Sequence, residues 1–237
     1  MSWDWLEILD QIAPQHPDVV ITPECFLDGY VVTRPEVTRR TLKRYAIDPA
    51  TSEIATAVSQ WARTNKAWVI LGCTRVATGG CANAALVYDR RGRMVGTYDK
   101  IHCRGHDRKF VRGTRLPVFK ADFGRFGIVI CADRRWPETI RTLALEGAEV
   151  IFNPTYGQHD EKNMWVMHTR SFESEIPIAF THPRQSLVTD AKGRIVIDET
   201  YAVPPISVCE INLSSVRKMR VDKDAFLNQR HPEVYRL

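Results

Sequence analysis

Continuous apolar runs that alternate with helical patterns constrain the fold of this chain most strongly. The segments "VVIT" and "WVILGC" carry almost no polar alternation, which is typical of strands covered on both faces. Helical spacing of apolar residues is found in "SWDWLEILDQIA", "ATSEIATAVSQWARTN", "PETIRTLALEGA" and "EKNMWVMHTRSFESE". This order predicts a layered α/β fold, with helices packed on the faces of mixed sheets, as one domain over residues 1–237.

Further strands follow from local turn signals. "NAALVYD" and "MVGTYDK" flank "RRGR", and "QSLVTD" and "IVIDET" flank "AKGR", so each pair predicts a β-hairpin. The runs "RFGIVIC", "EVIFNP", "IPIAFTH" and "ISVCEIN" are predicted as further strands, and residues 101–117 as an irregular segment.

Composition excludes several classes of protein. The 237 residues carry a net charge of only +5 from dispersed Lys and Arg, which disfavours a nucleic-acid partner. No apolar run reaches the roughly 20 residues of a membrane helix, and no signal pattern opens the chain, so we expect a cytoplasmic protein. Six scattered cysteines without a C-x-x-C pair predict reduced thiols, without disulfides or a structural zinc.

Three chemically competent residues stand at predicted strand ends, where ligand sites of layered α/β folds gather. Glu24 ends "VVITPE", Lys100 ends "GTYDK" and Cys131 ends "RFGIVIC", just before the helical pattern that starts near Pro137. They offer a general base, a cation and a thiol whose pKa a helix N-terminus would lower. Taken singly, each is more often an inert core or solvated rim residue.

The sequence around these residues resembles the nitrilase superfamily of carbon–nitrogen hydrolases. The resemblance rests on "TPECFLDGY" around Glu24, "YDKIHC" around Lys100, "FGIVICADRRWPE" around Cys131, and "GAEVIFNP". Later stretches, "RSFESEIPIAFTH", "TDAKGRIV" and the tail, are similar too, so it runs from about Asp18 to the end of the chain.

The resemblance implies an αββα sandwich that is completed by dimerisation, and a homodimer or higher homo-oligomer. It also implies Cys131 as nucleophile, Glu24 as general base, and Lys100 with the backbone N–H of Ala132 as oxyanion stabilisers. Such enzymes form a thioester and need neither cofactor nor metal. The sequence departs from the family in two ways. The family usually has a further active-site Glu, a fourth catalytic residue, in the loop after the lysine, where "GHDRKF" offers Asp107 as the possible fourth acid. The amino end also looks shortened.

The substrate prediction rests on "CADRRWPE", which is similar to N-carbamoyl-D-amino acid hydrolases. At the matching positions, Arg134 and Arg135 would bind a carboxylate, so the expected substrate is a small amide or carbamoyl compound bearing an acid group. The alternative is that one arginine pairs with Asp133 or caps carbonyl groups at the surface. Further candidates for substrate contact are Trp136, with a core role as its alternative, Asn153 and Thr155.

Other interpretations remain open. In the family that this sequence resembles, enzymes that act on nitriles usually have Trp-Glu after the cysteine. Cys131 is followed by Ala-Asp, so the resemblance disfavours a nitrile substrate. His102, Cys103 and His106 suggest a metal site only weakly, because no second ligand cluster follows at zinc spacing. A non-catalytic binding or assembly module would explain the shortened start and the missing Glu. It would not explain why Glu24, Lys100 and Cys131 are all present.

Overall fold

A computed structural model describes residues 5–202 and 205–235, in which two sheets face each other. The first has the order β1-β2-β3-β4, and the second has the order β10-β9-β8-β7-β6-β5. The strands are β1 Val19–Ile21, β2 Trp68–Ala77, β3 Gly80–Tyr88, β4 Met94–Asp99, β5 Val118–Lys120, β6 Arg125–Ile128, β7 Val150–Pro154, β8 Ile178–His182, β9 Gln185–Thr189 and β10 Ile195–Thr200.

Helices cover the outer faces of both sheets. They are α1 Trp5–Ile12, α2 Glu53–Asn65, α3 Pro137–Leu145 and α4 Glu161–Ser174. A fifth helix, α5 Leu213–Val221, begins at Leu213, which packs against the cluster between the two sheets. Leu9 and Val58 of α1 and α2 pack on the first sheet, while Leu143 and Met167 of α3 and α4 pack on the second. None of the helices in these described segments is long and apolar enough to cross a membrane.

The inner faces of the sheets meet in a separate core. Ile70 and Tyr98 of the first sheet pack in one cluster with Phe126 and Phe152 of the second. The layers are therefore helix, sheet, sheet, helix, as predicted. The expectation that dimerisation completes this layering was wrong, because one chain supplies all four layers.

The two predicted hairpins are present, and three more join them. Strands β3 and β4 pair antiparallel, as do β9 and β10. Strands β5 and β6 form a further hairpin, as do β8 and β9 and also β2 and β3, and the turn signals in the sequence predicted none of these three. The β2–β3 hairpin has a two-residue turn. Its turn uses Gly79 at φ +82, a left-handed conformation that glycine adopts without strain.

Two segments differ from the sequence prediction. "ISVCEIN" forms no strand within its described residues 206–212, which are mostly exposed and have no strand neighbour. The next residues form α5 instead, where the Asn212 side chain caps the helix by accepting from the N–H groups of Ser214 and Ser215. The prediction of a shortened amino end stays a prediction, and residues 1–4 lie outside the described part.

The fold brings the functional candidates together from four strands. Glu24 follows β1, Lys100 follows β4, Cys131 follows β6, and the loop 155–160 follows β7. Gly72 in β2 makes the Glu24 position possible, because a Cβ there would lie 2.0 Å from the carbonyl oxygen of Pro23.

Candidate active site

Cys131 occupies a strained turn between a strand and a helix. Its φ of 47° lies in the left-handed region. This conformation costs a non-glycine residue free energy, so it is kept only where the surrounding structure imposes it. It opens the 3-10 helix Cys131–Arg135, and α3 begins only at Pro137. The predicted helix that begins near Pro137 is therefore confirmed, and a short 3-10 helix separates it from the thiol.

Asp133 holds this turn in place. Its Oδ2 accepts from the N–H of Ile130 at 3.0 Å and from the hydroxyl of Tyr98 at 2.7 Å. Its Oδ1 accepts from the N–H of His102 at 2.9 Å and lies 2.8 Å from that residue's Nδ1. Neither Arg134 nor Arg135 pairs with Asp133 among the described contacts, contrary to the alternative considered for them.

Glu24, Lys100 and Asp107 form one buried ionic cluster. The Lys100 Nζ donates to Glu24 Oε1 at 2.6 Å and to Asp107 Oδ2 at 2.5 Å. Lys100 is 1% exposed and Glu24 is 0% exposed. Asp107 thus lies beside the lysine, where the fourth acid was predicted.

Three residues without a predicted role complete this cluster. The Tyr30 hydroxyl donates to Asp107 Oδ1 at 2.7 Å, and the Asn83 amide donates to Glu24 Oε1 at 2.7 Å. The N–H of Tyr156 donates to Glu24 Oε2 at 2.9 Å. Tyr30 stands in the quoted "DGY" stretch, but nothing in the pattern indicated its partner.

The electrostatics of the cluster leave the thiol protonated and the lysine charged. Burial raises the pKa of Cys131, and Glu24 raises it further, against smaller lowering effects of Lys100 and Arg134. Burial alone would lower the pKa of Lys100, but Glu24, Cys131 and Asp107 together raise it well above its usual range. The expected lowering of the thiol pKa was wrong, so deprotonation of Cys131 needs a base.

A cavity of about 320 Å³ opens above this cluster. Cys131 and Ala132 line it, and the Cys131 sulfur lies 3.3 Å from where a Cβ of Gly157 would stand. Gly157 therefore lets its loop approach the thiol. The other lining residues are Tyr30, Lys100, Arg104, Gly105, His106, Asp107, Arg134, Arg135 and Gln158.

The two predicted carboxylate-binding arginines differ sharply. Arg134 is buried, and its guanidinium donates to the carbonyl oxygens of Cys131 at 2.5 Å and Gln158 at 2.6 Å, and to Asn163 Oδ1 at 2.7 Å. Arg135 is exposed and donates to the side chain of Gln158. Arg134 is thus engaged by the protein through three acceptors, and carboxylate binding by Arg134 and Arg135 stays a prediction.

The remaining predicted contacts lie off the cavity. Asn153 and Thr155 are fully buried, and Asn153 donates to the carbonyl oxygen of Val129 at 2.8 Å, so their placement does not favour direct substrate contact. Trp136 also lies outside the cavity lining and stacks on His102, with ring centroids 3.9 Å apart. Cys103 donates to the carbonyl oxygen of Lys100, and the described residues contain no cluster of three potential metal ligands.

Thiol accessibility yields the first testable prediction. Cys25, Cys73 and Cys81 are fully buried and Cys209 is exposed, so Cys209 competes with Cys131 for a soluble reagent. In a Cys209→Ser variant we expect iodoacetamide to modify Cys131 first. Because burial raises its pKa, the thiolate fraction and the modification rate should still increase beyond about pH 9. Peptide mass spectrometry over time measures this, and prior labelling of Cys103 would contradict it.

Several known proteins are similar to this chain in sequence. The family model for carbon-nitrogen hydrolases matches residues 4–221. A probable nitrilase of Schizosaccharomyces pombe is 26% identical over 65% of this chain and 61% of its own length. A nitrilase of Pyrococcus abyssi is 26% identical over 97% of this chain and 91% of its own length. An N-carbamoylputrescine amidase of Arabidopsis thaliana is 25% identical over 65% of this chain and 62% of its own length.

Solved structures share the fold. A carbon-nitrogen hydrolase from Helicobacter pylori superposes with a TM-score of 0.81 at 18% identity, covering 97% of this chain and 89% of that one. For the yeast and plant relatives, the chain spans about three fifths of their length. The match of the family model over nearly the whole chain shows that the protein belongs to the carbon–nitrogen hydrolases of the nitrilase superfamily.

Proposed function

We propose that this protein hydrolyses the C–N bond of a small amide or carbamoyl compound through a thioester on Cys131. One observation carries the proposal: a thiol at a strained turn lines a cavity together with Lys100 and Asp107, and Glu24 is bonded to that lysine. This arrangement supplies a nucleophile, a base and a fixed cation at one place.

The reaction begins with proton transfer. Glu24 takes the thiol proton while the sulfur attacks the carbonyl carbon, and the resulting oxyanion is bound by Lys100 Nζ and the Ala132 N–H. Collapse breaks the C–N bond, and Glu24 returns the proton to the leaving ammonia or amine. Glu24 then deprotonates a water that attacks the thioester, which releases the acid and restores the thiol.

Asp107 is the fourth residue of this scheme, since its carboxylate binds Lys100 together with that of Glu24. In an Asp107→Asn variant, the amide oxygen accepts from Lys100 and the amide N–H donates to Tyr30, so both hydrogen bonds survive. One of the two negative charges beside Lys100 is lost. We expect kcat/KM to fall about 10- to 100-fold, with a change in unfolding free energy below about 2 kcal/mol.

The matched control is Asp99→Asn, which weakens a partly buried ion pair with Arg75 away from the cavity. Its activity should stay near that of the wild type, and steady-state kinetics with thermal unfolding compare the two. If Asp107→Asn retained full activity in a folded protein, Asp107 would have no part in the reaction.

The proposed substrate bears a carboxylate at its non-reacting end. The cavity carries cationic side chains at its rim, and relatives named N-carbamoylputrescine amidase and citrullinase act, by their names, on carbamoyl compounds. A panel of amides, ureido compounds and nitriles, assayed for released ammonia, tests the class. Turnover of nitriles alone would favour the activity named for the Schizosaccharomyces and Pyrococcus relatives. The absence of any turnover would favour a binding module.

A further inference from the structure

Arg104 stands at the mouth of the cavity because of a short turn. It precedes the 3-10 helix Gly105–Lys109, and Gly105 has a φ of +55°, a left-handed conformation open to glycine. Within that helix Asp107 is buried against Lys100, whereas Arg104 is exposed and lines the cavity. One turn therefore places a carboxylate inside and a guanidinium at the entrance.

A stack of rings supports the Arg104 side chain. Its Cζ lies 5.8 Å from the centroid of the Trp136 ring, within the range of cation–π attraction. Trp136 stacks on His102 at an interplanar angle of 7°, and Asp133 holds His102 through its backbone N–H and its Nδ1. The position of Trp136, which lines no cavity, is thus explained as a platform for this arginine.

The hydrogen-bonding groups of Arg104 are available to a ligand. Across residues 5–202 and 205–235, no hydrogen bond or ion pair engages its guanidinium. Arg134 donates to three protein acceptors, and Arg135 donates to Gln158. Of the three arginines on the cavity, Arg104 is the one whose whole guanidinium is left free among the described residues, so it can offer a planar pair of donors to a carboxylate.

The charges around the cavity favour the same ligand. Lys100, Arg104, Arg134 and Arg135 line it, and the lining carboxylate, Asp107, is bonded to Lys100. His106 adds no negative charge. An ammonium at the non-reacting end of a substrate would meet like charges here, whereas a carboxylate would meet opposite ones.

We infer that Arg104 determines specificity by binding a carboxylate at the non-reacting end of the substrate, so that acid-tailed substrates are preferred over neutral and amine-tailed ones. This inference deepens the proposed function and rests on it for its turnover measurement. It assigns to Arg104 the role that the sequence suggested for Arg134 and Arg135.

Two series of probes that differ only in their tails test the inference. The ureas are γ-ureidobutyrate, n-butylurea and N-carbamoylputrescine, and the amides are glutaramate, valeramide and δ-aminovaleramide. We expect the wild type to prefer the acid in the series that it hydrolyses. Arg104→Gln should lower kcat/KM for the acid-tailed member roughly tenfold. It should change kcat/KM for the neutral member by less than about twofold and raise kcat/KM for the amine-tailed member. Arg104→Lys, which keeps charge without the fork, should show an intermediate loss.

The matched control is Arg108→Gln, because Arg108 is exposed in the same 3-10 helix but does not line the cavity. It should leave all ratios unchanged. An equal loss for acid and neutral members in Arg104→Gln would indicate a structural role and overturn the inference. A wild-type preference for the amine-tailed members would overturn it as well.

A binding experiment separates this inference from the proposed function. In Cys131→Ala protein, calorimetry measures the affinity for γ-ureidobutyrate and N-carbamoylputrescine with Arg104 present or replaced by Gln. Arg104-dependent binding of the acid without turnover by the wild type would remove the proposed hydrolysis and keep the inference. Turnover without dependence on Arg104 would do the reverse. If γ-ureidobutyrate did not bind and neither series were hydrolysed, both would fail.

Discussion

Replacing Cys131 with Ala should reduce hydrolysis by at least about 10⁴-fold, because the covalent step has no other nucleophile at this position. The fold should be kept. Alanine fits the space of the thiol, and Asp133 still fixes the turn through Ile130 and Tyr98. We expect the unfolding free energy to change by less than about 1 kcal/mol. Steady-state kinetics and chemical denaturation of the same preparation measure both.

The control for this variant is Cys209→Ala, which removes an exposed thiol outside the cavity and should leave the rate unchanged. Rapid quenching of the wild type during turnover should give a peptide containing Cys131 with the mass of an acyl adduct. Turnover that persisted in folded Cys131→Ala protein, with no adduct in the wild type, would exclude the thiol from the mechanism.

The layers of the fold could be predicted because burial on both faces leaves a plain signal in sequence. Strand β3 is buried at every position, which corresponds to the run "NAALVY". The β2–β3 hairpin was missed although Gly79 and Gly80 mark its turn, because the segment was interpreted from its apolar runs alone. Strand β5 was missed because three residues are too few to show a period.

The site could be predicted in its composition but not in its contacts. The order of Glu24, Lys100 and Cys131 was visible, since each follows a strand. Adjacent residues of a short 3-10 helix, however, point in different directions, and spacing does not indicate which. Arg134 is buried and Arg135 is exposed for this reason. Asp107 stands where the resemblance implies a Glu, and the helix Gly105–Lys109 brings its carboxylate to Lys100.

The loop 155–160 shows a second kind of limit. Its Tyr156 N–H binds Glu24, and its Tyr156 carbonyl oxygen lies 2.7 Å from Nε2 of His182, 26 residues further on. Burial and the neighbouring His159 lower the pKa of His182 to about 4, so it is neutral near pH 7 and donates to that carbonyl. These contacts join the loop after β7 to Glu24 and to β8, and they have no local sequence signature, because backbone atoms of any residue could supply them.

The lysine of the cluster should prove essential both to the rate and to the fold. In Lys100→Met the oxyanion loses its cation, and we expect kcat/KM to fall roughly 100-fold or more for the protein that folds. Glu24 and Asp107 would also remain buried without their shared counter-ion. Breaking such a pair typically costs about 3–5 kcal/mol, so the unfolding free energy should fall by a similar amount.

A double variant separates these two effects. Adding Asp107→Asn to Lys100→Met removes one of the two unpaired carboxylates, so stability should recover in part while activity stays low. Lys109→Met is the matched control, since Lys109 donates to the carbonyl oxygens of Val32 and Arg34 and does not line the cavity. Denaturant unfolding and kinetics on all four proteins, wild type included, give the comparison. Activity that returned together with stability in the double variant would mean that Lys100 acts by holding the carboxylates apart, and the oxyanion would then need another cation.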